Sequence, residues 1–165
     1  INHAACEILY KKSSQFLGEH AFGKVLDLFC GVGSIGICTA PNAKQLIGAE
    51  SVESSVNYAR INAKQNGLKN ASFIHTRVEN ASSLKEAAPD AVIVDPPRAG
   101  LHQNAIKLLM EIMPKTIVYI SCNPVTLCRD LAAMSERYNI ANAAAVDMFP
   151  RTSHVETIVL LQRKA

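Results

Sequence analysis

The stretch "KVLDLFCGVGSIG", residues 24–36, decides the fold of this chain of 165 residues. It opens with the apolar run Lys24 to Phe29, which is typical of a buried strand. Gly31, Gly33 and Gly36 follow at GxGxxG spacing. Glycines at such a turn let the backbone approach a ligand closely. The stretch therefore predicts a strand, a ligand-binding turn and the start of a helix.

The rest of the chain repeats this alternation of strand and helix. Further buried strands are predicted at Gln45 to Glu50, Ala71 to His75, Ala91 to Asp95, and Thr116 to Ser121. Alternation of this kind predicts a parallel sheet covered on both faces. The final strands, Ala143 to Phe149 and Val155 to Leu161, are separated by the turn "PRTS" and predict an antiparallel hairpin at or near the sheet edge. The fold class is α/β: the Rossmann-like, seven-stranded, mostly parallel plan of methyltransferases that use S-adenosylmethionine (SAM).

Apolar spacing predicts the helices between these strands. An opening helix covers Asn2 to Leu17, with Ala5, Leu9 and Phe16 facing inward. The inward face of a second helix, which ends near Asn66-Gly67, carries Val52, Val56, Ala59 and Ala63. The inward face of a third, stopped by Pro114, carries Ile106, Leu109, Met110 and Met113.

Composition predicts one domain, residues 1–165, in the cytoplasm. Hydrophobic residues make up 48% of the chain and charged residues 19%, which is ordinary for a globular protein. A net charge of +3 permits nucleic acid as a partner without arguing for it. We find no apolar run of the ~20 residues that a membrane span needs, and no signal peptide. The five cysteines form no CxxC pair, which favours free thiols over disulfides or a metal site.

Glu50 ends the second predicted strand, where an acid accepts hydrogen bonds from ribose hydroxyls. Together with the glycines it predicts an adenosine-containing cofactor. Both NAD and SAM contain an adenosine ribose, so the glycines and Glu50 alone are consistent with either cofactor.

Polar residues follow the fourth and fifth predicted strands. In "DPPRAGL", residues 95–101, two prolines force a rigid exit that holds Asp95 over the carboxyl edge of the sheet, where ligands bind in such folds. In "ISCNPVT", residues 120–126, Asn123 is a good N-cap and Pro124 a good first helical residue. Cys122 therefore lies at a helix N-terminus, which favours a reactive thiolate. We predict that Cys6, Cys30, Cys38 and Cys128 are buried and inert.

The last strand supplies a partner for Cys122. It runs antiparallel and, in the seven-stranded plan, lies beside the fifth, so its first residues are expected near Cys122. Glu156 is a candidate there, and His154 is as consistent with a turn residue as with a functional one. Methylation of a pyrimidine at carbon 5 requires a thiol and a base such as Cys122 and Glu156. A thiolate must first add to carbon 6, and a base must later remove the proton from carbon 5.

The motifs "DLFCGVG", "DPPRAGL", "YISCNPVTLCRD" and "DMFPRTSHVE" resemble, in order and spacing, the RNA (uracil-5-)-methyltransferases, which make 5-methyluridine in transfer and ribosomal RNA. The resemblance covers essentially the whole chain. It implies that Cys122 is the nucleophile, that Glu156 is the proton-abstracting base and that Asp95 lies between SAM and the target uracil. It implies SAM binding by Phe29, Gly31, Gly33, Ser34, Glu50 and Asp95, although bacterial relatives often have asparagine where this chain has Ser34.

Members of that family carry upstream RNA-binding parts, and some hold an iron–sulfur cluster there. This chain begins at Ile1, so we expect a C-terminal catalytic fragment that binds SAM and RNA weakly by itself. RNA is the expected partner, and "DMFPRTSHVE" favours ribosomal over transfer RNA. Candidate phosphate contacts are Lys11, Lys12, Arg98 and Arg151.

Three other functions remain open from the sequence. An amino-methyltransferase acting on adenine or glutamine suits Asp-Pro-Pro, but has no use for Cys122 and typically has an aromatic residue where this chain has Arg98. A non-catalytic RNA-binding module would not need Cys122, Glu156 and Glu50 together. An NAD-dependent dehydrogenase leaves Cys122 and Glu156 unexplained.

Overall fold

The computed structural model of the chain describes residues 2–80, 82–152 and 155–165. The strands are β1 Lys24–Leu28, β2 Gln45–Glu50, β3 Ala71–His75, β4 Ala91–Val94, β5 Thr116–Ser121, β6 Tyr138–Val146 and β7 Glu156–Arg163. The helices are α1 His3–Leu17, α2 Ser34–Thr39, α3 Glu53–Gln65, α4 Gln103–Ile112 and α5 Pro124–Met134. Short 3₁₀ segments cover Gly18–Phe22, Val78–Asn80 and Ser82–Lys85.

The strands form one seven-stranded sheet in the order β3-β2-β1-β4-β5-β7-β6. Strands β1 to β5 pair in parallel, and β7 pairs antiparallel with both β5 and β6. The predicted fold class and the predicted insertion of the last strand beside the fifth are therefore confirmed. The carboxyl ends of the parallel strands and the start of β7 meet at one edge of the sheet, where the candidate site lies.

Helices cover both faces of the sheet, because the buried strands carry apolar side chains on alternate sides. One core cluster joins Val25, Ile93 and Val118 to apolar residues of α1, α2 and α3. The other joins Leu26, Val92 and Ile117, and packs them against α4 and α5.

Helix α1 begins one residue later than predicted, because Asn2 is its N-cap and accepts a hydrogen bond from Ala5 N at 3.2 Å. Its three predicted inward residues are buried: Ala5, Leu9 and Phe16.

The predicted face of α3 is correct except at its first residue. Val56, Ala59 and Ala63 are buried, but Val52 is the N-cap and is 51% exposed. In α4 the buried residues are Ala105, Leu108 and Leu109. The other predicted members of that face are only partly buried: Ile106, Met110 and Met113. The α4 face is therefore rotated from the predicted one, since its contacts with the segments Val78–Asn80 and Ser82–Lys85 were not visible in the sequence.

Two strands end one residue earlier than predicted. Strand β1 stops at Leu28 because Phe29 has a φ of 61°, which no extended strand allows. Strand β4 stops at Val94, so Asp95 belongs to the proline loop.

The terminal hairpin was predicted with the correct pairing and the wrong bounds. Strand β6 begins at Tyr138, five residues before the predicted start at Ala143, and ends at Val146, three residues before the predicted end at Phe149. Strand β7 begins at Glu156 and extends to Arg163, where Val155 to Leu161 was predicted. The segment "NIANAAA" has weak strand propensity, so the pairing with β7 rather than local preference makes it a strand. Residues 147–155 separate the two strands along the chain, where a four-residue turn was predicted, and the structure describes 147–152 and 155 of them.

Gly48 lies where the backbone of β2 and the side chains of Phe73 and Cys30 pack closely together. It lies in the middle of β2, and a methyl group there would overlap the Phe73 ring and lie 2.8 Å from Cys30 Sγ. We expect Gly48→Ala to lower the free energy of unfolding by about 1–3 kcal/mol, the usual cost of overpacking. Urea unfolding measures this. Gln45→Ala, at an exposed position of the same strand, is the control and should change stability by less than about 0.5 kcal/mol. Equal stabilities of the two variants would contradict the packing argument.

Candidate active site

The turn after β1 brings the backbone to the carboxyl edge of the sheet. Phe29 and Gly31 both have left-handed φ angles, 61° and 53°. Cys30 N donates to Ala49 O at 3.1 Å, and Gly33 N donates to Cys30 O at 2.7 Å. These bonds fix the turn between β1 and α2. Phe29 packs partly against the core and also lines an open cleft.

The Glu50 carboxylate is oriented by backbone N–H groups. Its Oε2 accepts from Gly31 N at 3.1 Å, and its Oε1 accepts from Ser51 N at 2.7 Å and Val52 N at 2.8 Å. These donors tie the glycine turn to the end of β2. They also hold the carboxylate at a fixed place on the wall of the cleft.

The cleft beside Glu50 has a volume of about 680 Å³. Its lining includes the predicted residues Phe29 and Glu50. The lining also includes Thr76, Arg77, His102 and Asn104. The sequence analysis predicted no role for any of these four residues. This volume is in the range of small-molecule and cofactor sites. The cleft therefore has room for a nucleoside-containing cofactor with Glu50 in reach.

Gly33 and Ser34 lie at the start of α2. Gly33 is its N-cap, with a φ of 79°, and a methyl group there would come within 3.0 Å of the Phe73 ring. The Ser34 side chain lies near the Tyr10 hydroxyl of α1, whose pKa is raised mainly by burial. The motif alone did not indicate that Ser34 lies beside the opening helix.

The sheet brings together Asp95, Cys122 and Glu156. Strand β7 pairs with β5 up to Ser121 opposite Thr157, so Cys122 and Glu156 are the next residues beyond this pair. Asp95 follows β4, the neighbour of β5 on the other side. Burial and the nearby Glu156 carboxylate raise the pKa of Asp95 to about 7. Near neutral pH, Asp95 therefore keeps a proton for much of the time beside Glu156.

Cys122 lies half-buried between β5 and α5. Ser121 Oγ accepts from Asn123 N at 3.1 Å and donates to Asn123 O at 3.0 Å. Asn123 is the predicted N-cap, its Oδ1 accepts from Val125 N at 3.1 Å, and Pro124 is the first helical residue. The predicted helix start immediately after Cys122 is confirmed.

Of the other four cysteines, only one fits the prediction of a buried, inert residue. Cys30 is buried, and burial is the main cause that raises the pKa of its thiol far above the ordinary value. Cys6 is half-buried, while Cys38 and Cys128 are exposed. The prediction was wrong for these two because both lie on the outer faces of their helices. All five cysteines are free, as predicted.

Asp27 is a buried acid next to the site. It lies within β1 and accepts from Gly36 N at 3.0 Å through Oδ2, while Oδ1 has no partner among the described residues. Burial, and secondarily the carboxylates of Asp95 and Glu50, raise its pKa to about 7, whereas the Gly36 hydrogen bond opposes this rise.

Two residues that the sequence analysis named as candidates, His154 and Lys12, add nothing to the described site. His154 lies outside the described residues. Lys12, a candidate phosphate contact, has its ammonium 5.8 Å from the centre of the Phe16 ring, a cation–π contact within α1.

In the part of the chain that the structure describes, no helix is long and apolar enough to cross a membrane. Those residues also contain no group of three or more His, Cys, Asp or Glu side chains placed to hold a metal ion.

A model of the family described as tRNA (uracil-5-)-methyltransferase matches residues 5–164. The chain belongs to this family. An uncharacterized RNA methyltransferase of Clostridium tetani is 44% identical over 164 residues, which are 99% of this chain and 36% of that protein. One from Nitratidesulfovibrio vulgaris is 39% identical over 169 residues, with the same two shares. The chain thus spans about a third of the length of the curated relatives it matches.

Solved structures agree with membership of the tRNA (uracil-5-)-methyltransferase family. The Pyrococcus abyssi tRNA (uracil-54, C5)-methyltransferase in complex with S-adenosyl-L-homocysteine has a TM-score of 0.83 and 39% identity, and covers 93% of this chain and 37% of that one. The N-methyltransferase NodS of Bradyrhizobium japonicum has a TM-score of 0.79 at 12% identity over 98% of both chains, which shows the shared fold alone. The fold and the family are those of SAM-dependent methyltransferases, as predicted.

The raised pKa of Asp27 predicts how stability depends on pH. In the unfolded chain the carboxyl loses its proton near its ordinary value of 3.8, and in the folded chain near 7. The stability that the proton confers is present below the lower value and is lost as pH rises through the higher one. Asp27→Asn cannot titrate, so its free energy of unfolding should rise relative to wild type between about pH 4 and pH 7, by up to about 4 kcal/mol. Urea unfolding across this range measures the difference. A constant difference would show that Asp27 ionises normally.

Proposed function

We propose that this chain methylates carbon 5 of a uridine in RNA, with SAM as the methyl donor and Cys122 as the nucleophile. The observation that carries the proposal is the pairing of β5 with β7, which leaves Cys122 and Glu156 side by side at the sheet edge with Asp95 alongside. A thiol, a base and a third carboxyl at one edge suit attack on a pyrimidine ring. Methyl transfer to an amine or a hydroxyl has no use for the thiol.

The residues of the cleft fit SAM. Glu50 lies on the wall of the cleft, where its carboxylate can accept hydrogen bonds from the ribose hydroxyls, and Phe29 offers an aromatic face. Gly31 has no side chain to block the approach of a ligand, and Gly33 and Ser34 complete the turn. Pro97, two residues after Asp95, also lines the cleft. When bound, SAM supplies an electrophilic methyl group on a sulfonium centre.

The reaction uses Cys122 twice. Its thiolate adds to carbon 6 of the uracil, and the displaced electron pair makes an enolate whose carbon 5 is nucleophilic. After carbon 5 has gained the methyl group, Glu156 removes the proton that remains there. The released pair of electrons restores the double bond between carbons 5 and 6 and expels the thiolate. The cysteine returns unchanged, and the proton leaves on Glu156.

Asp95 and Glu156 divide the acid–base work between them. Burial, and then the neighbouring Glu156 carboxylate, raise the pKa of Asp95 to about 7, so Asp95 carries a proton for part of the time near neutral pH. Glu156 is the candidate for the base. A protonated Asp95 can also donate a hydrogen bond to the substrate at the sheet edge.

We further propose that the chain is the catalytic part of a longer protein and that its substrate is ribosomal RNA. The length that it shares with its relatives supports the first point. The segment "DMFPRTSHVE", residues 147–156, supports the second. The target base must leave its stack to expose both ring faces, which favours loops and single-stranded sites. Arg98 and Arg151 are both exposed and are candidates for phosphate contact, and Arg98 lies in the loop that starts at Asp95.

Variants of Cys122 and Glu156 test the mechanism in the complete gene product. With RNA that carries 5-fluorouridine, the wild type should form a covalent protein–RNA adduct, because fluorine cannot be removed as a proton. Cys122→Ala should form none and lose methyl transfer. Glu156→Gln should accumulate the adduct even on ordinary uridine, since only the last step is blocked. Intact-mass spectrometry detects all three states. Methyl transfer by wild type without any adduct on the fluorinated RNA would refute the thiolate mechanism and favour an amino-methyltransferase.

The RNA class is tested in cells that lack the gene. Purified 23S rRNA and bulk tRNA are digested to nucleosides, and 5-methyluridine is measured by mass spectrometry. We expect the modification to fall in 23S rRNA and to return with a plasmid copy of wild type but not of Cys122→Ala. A loss confined to tRNA would overturn the ribosomal assignment and leave the uracil chemistry standing.

A further inference from the structure

One face of α5 is polar and lies against the loop that carries Asp95. Its residues are Asn123, Thr126, Arg129 and Asp130, at the spacing of successive helical turns. Asn123 Nδ2 and Thr126 Oγ1 both donate to the carbonyl oxygen of Arg98, at 3.1 and 3.2 Å. The first turn of the helix therefore holds the middle of the loop.

The next turn of α5 holds the end of the same loop. Arg129 Nη2 donates to Ala99 O at 2.9 Å and to Leu101 O at 3.3 Å. The same guanidinium binds the carboxylate of its neighbour, with Nε at 2.9 Å and Nη2 at 2.7 Å from Asp130 Oδ1. Arg129 thus joins the loop to Asp130.

Asp130 is the centre of this network. Its side chain is completely buried, and its Oδ2 accepts from Leu101 N and from the Tyr119 hydroxyl, each at 2.7 Å. With Arg129 on Oδ1, the two oxygens receive hydrogen bonds from the loop, the strand β5 and the helix α5. Gly100 has a φ of 74°, and a methyl group there would lie 2.6 Å from both Asp130 Oδ2 and Arg129 Nη2. The loop is thus fitted closely around the ion pair.

Tyr119 connects this network to the strand that leads to Cys122. It is fully buried in β5, two residues before Ser121. Burial, and then the hydrogen bond to Asp130, raise the pKa of its hydroxyl far above the ordinary value. The hydroxyl therefore keeps its proton and remains a donor to Asp130.

Stability alone does not account for a buried carboxylate at this place. Asp130 is completely buried, whereas the side chain of its partner Arg129 is 57% exposed. Taking a carboxylate out of water costs free energy that such a pair often fails to recover, and an apolar side chain of similar size would serve as well. What the pair provides is geometry, because it fixes the loop that starts at Asp95 relative to the helix that starts after Cys122. A displacement of about 1 Å between reacting groups can lower a rate about 100-fold.

We propose that Asp130 is a positioning residue, which acts through Tyr119, Arg129 and the loop 95–101 to hold Asp95 in register with Cys122. This inference rests on the proposed function. It predicts that loss of the network lowers the rate of the chemical step and changes SAM affinity little. Pro97 of the loop does line the cleft at Glu50, but the loop residues that the network contacts, Ala99 and Leu101, do not.

Two buried tyrosines provide a matched comparison. The hydroxyl of Tyr119 donates to Asp130, and the hydroxyl of Tyr138 donates to Pro114 O at 2.9 Å. Both side chains are buried, and Tyr138 lies at the start of β6, the opposite end of the sheet from the site. Tyr119→Phe and Tyr138→Phe therefore each remove one buried hydrogen bond. Tyr119→Phe should lower the melting temperature more, because its partner is a carboxylate and that of Tyr138 is a neutral carbonyl.

The experiment uses the complete gene product well below the melting temperature of every variant. It measures the single-turnover rate of adduct formation on 5-fluorouridine RNA, and SAM affinity by calorimetry. We expect a rate about tenfold lower for Tyr119→Phe, about 100-fold lower for Asp130→Asn, and unchanged within about twofold for Tyr138→Phe. SAM affinity should be the same in all. Equal rates for the two tyrosine variants, or a loss of SAM affinity that accounts for the slower rate, would overturn the positioning role.

Failure of the proposed function is recognised separately. If wild type forms no adduct but transfers methyl groups, the thiolate mechanism fails, and the variants are compared by methyl-transfer rate instead. The same order of rates would then still support a positioning role for Asp130 at this edge, and equal rates would overturn it.

Discussion

The antiparallel pairing of β7 with β5 is the constraint on which the candidate site depends. Five parallel strands bring their carboxyl ends to one edge, but a sixth strand in the same direction would bring only its own last residue there. Because β7 runs the other way, its first residue, Glu156, arrives at this edge next to Cys122. The pairing runs without interruption from Thr116 opposite Gln162 to Ser121 opposite Thr157. A slip by one residue would turn Glu156 to the other face of the sheet.

The same geometry crowds carboxyl groups together. Asp27, Glu50, Asp95 and Glu156 all lie at or just below the carboxyl edge, and their mutual repulsion adds to the effect of burial on the pKa values of Asp27 and Asp95. Three backbone N–H groups donate to the Glu50 carboxylate and fix its place at this edge. A ligand with a positive centre would relieve this repulsion, and a sulfonium is such a centre. The electrostatics of the edge thus fit a cationic methyl donor better than a neutral or anionic cofactor.

The sequence predicts helix starts and central strands correctly where the residues present favour only one local structure. Asn123 and Pro124 identify a helix start, and the structure confirms it. Runs such as "TIVYIS" can only be central strands. Prediction failed where a pairing partner overrides local preference, as in the alanine-rich strand β6, and where an exposed position was judged from residue type, as for Cys38 and Cys128.

The part of the site that the sequence concealed is the network of Asp130. Read along the chain, "CRD" is an ordinary charged pair in the middle of a helix, and such pairs are usually solvated. The spacing of Asn123, Thr126, Arg129 and Asp130 was available as a signal, but its meaning depends on the loop 95–101 lying across that face, which only the β4–β5 pairing brings about.

The segment 119–130 therefore has three structural tasks that restrict one another. Tyr119 must lie within a central strand and donate to Asp130. Asn123 must cap a helix and bind the loop, and Arg129 must reach two carbonyl oxygens and a carboxylate. A lysine in place of Arg129 would keep the charge but lose the planar fork that makes these contacts at once. A larger residue than Gly100 would collide with the ion pair. Cys122 lies in the middle of this segment, so its position follows from contacts made by residues that need not touch the substrate.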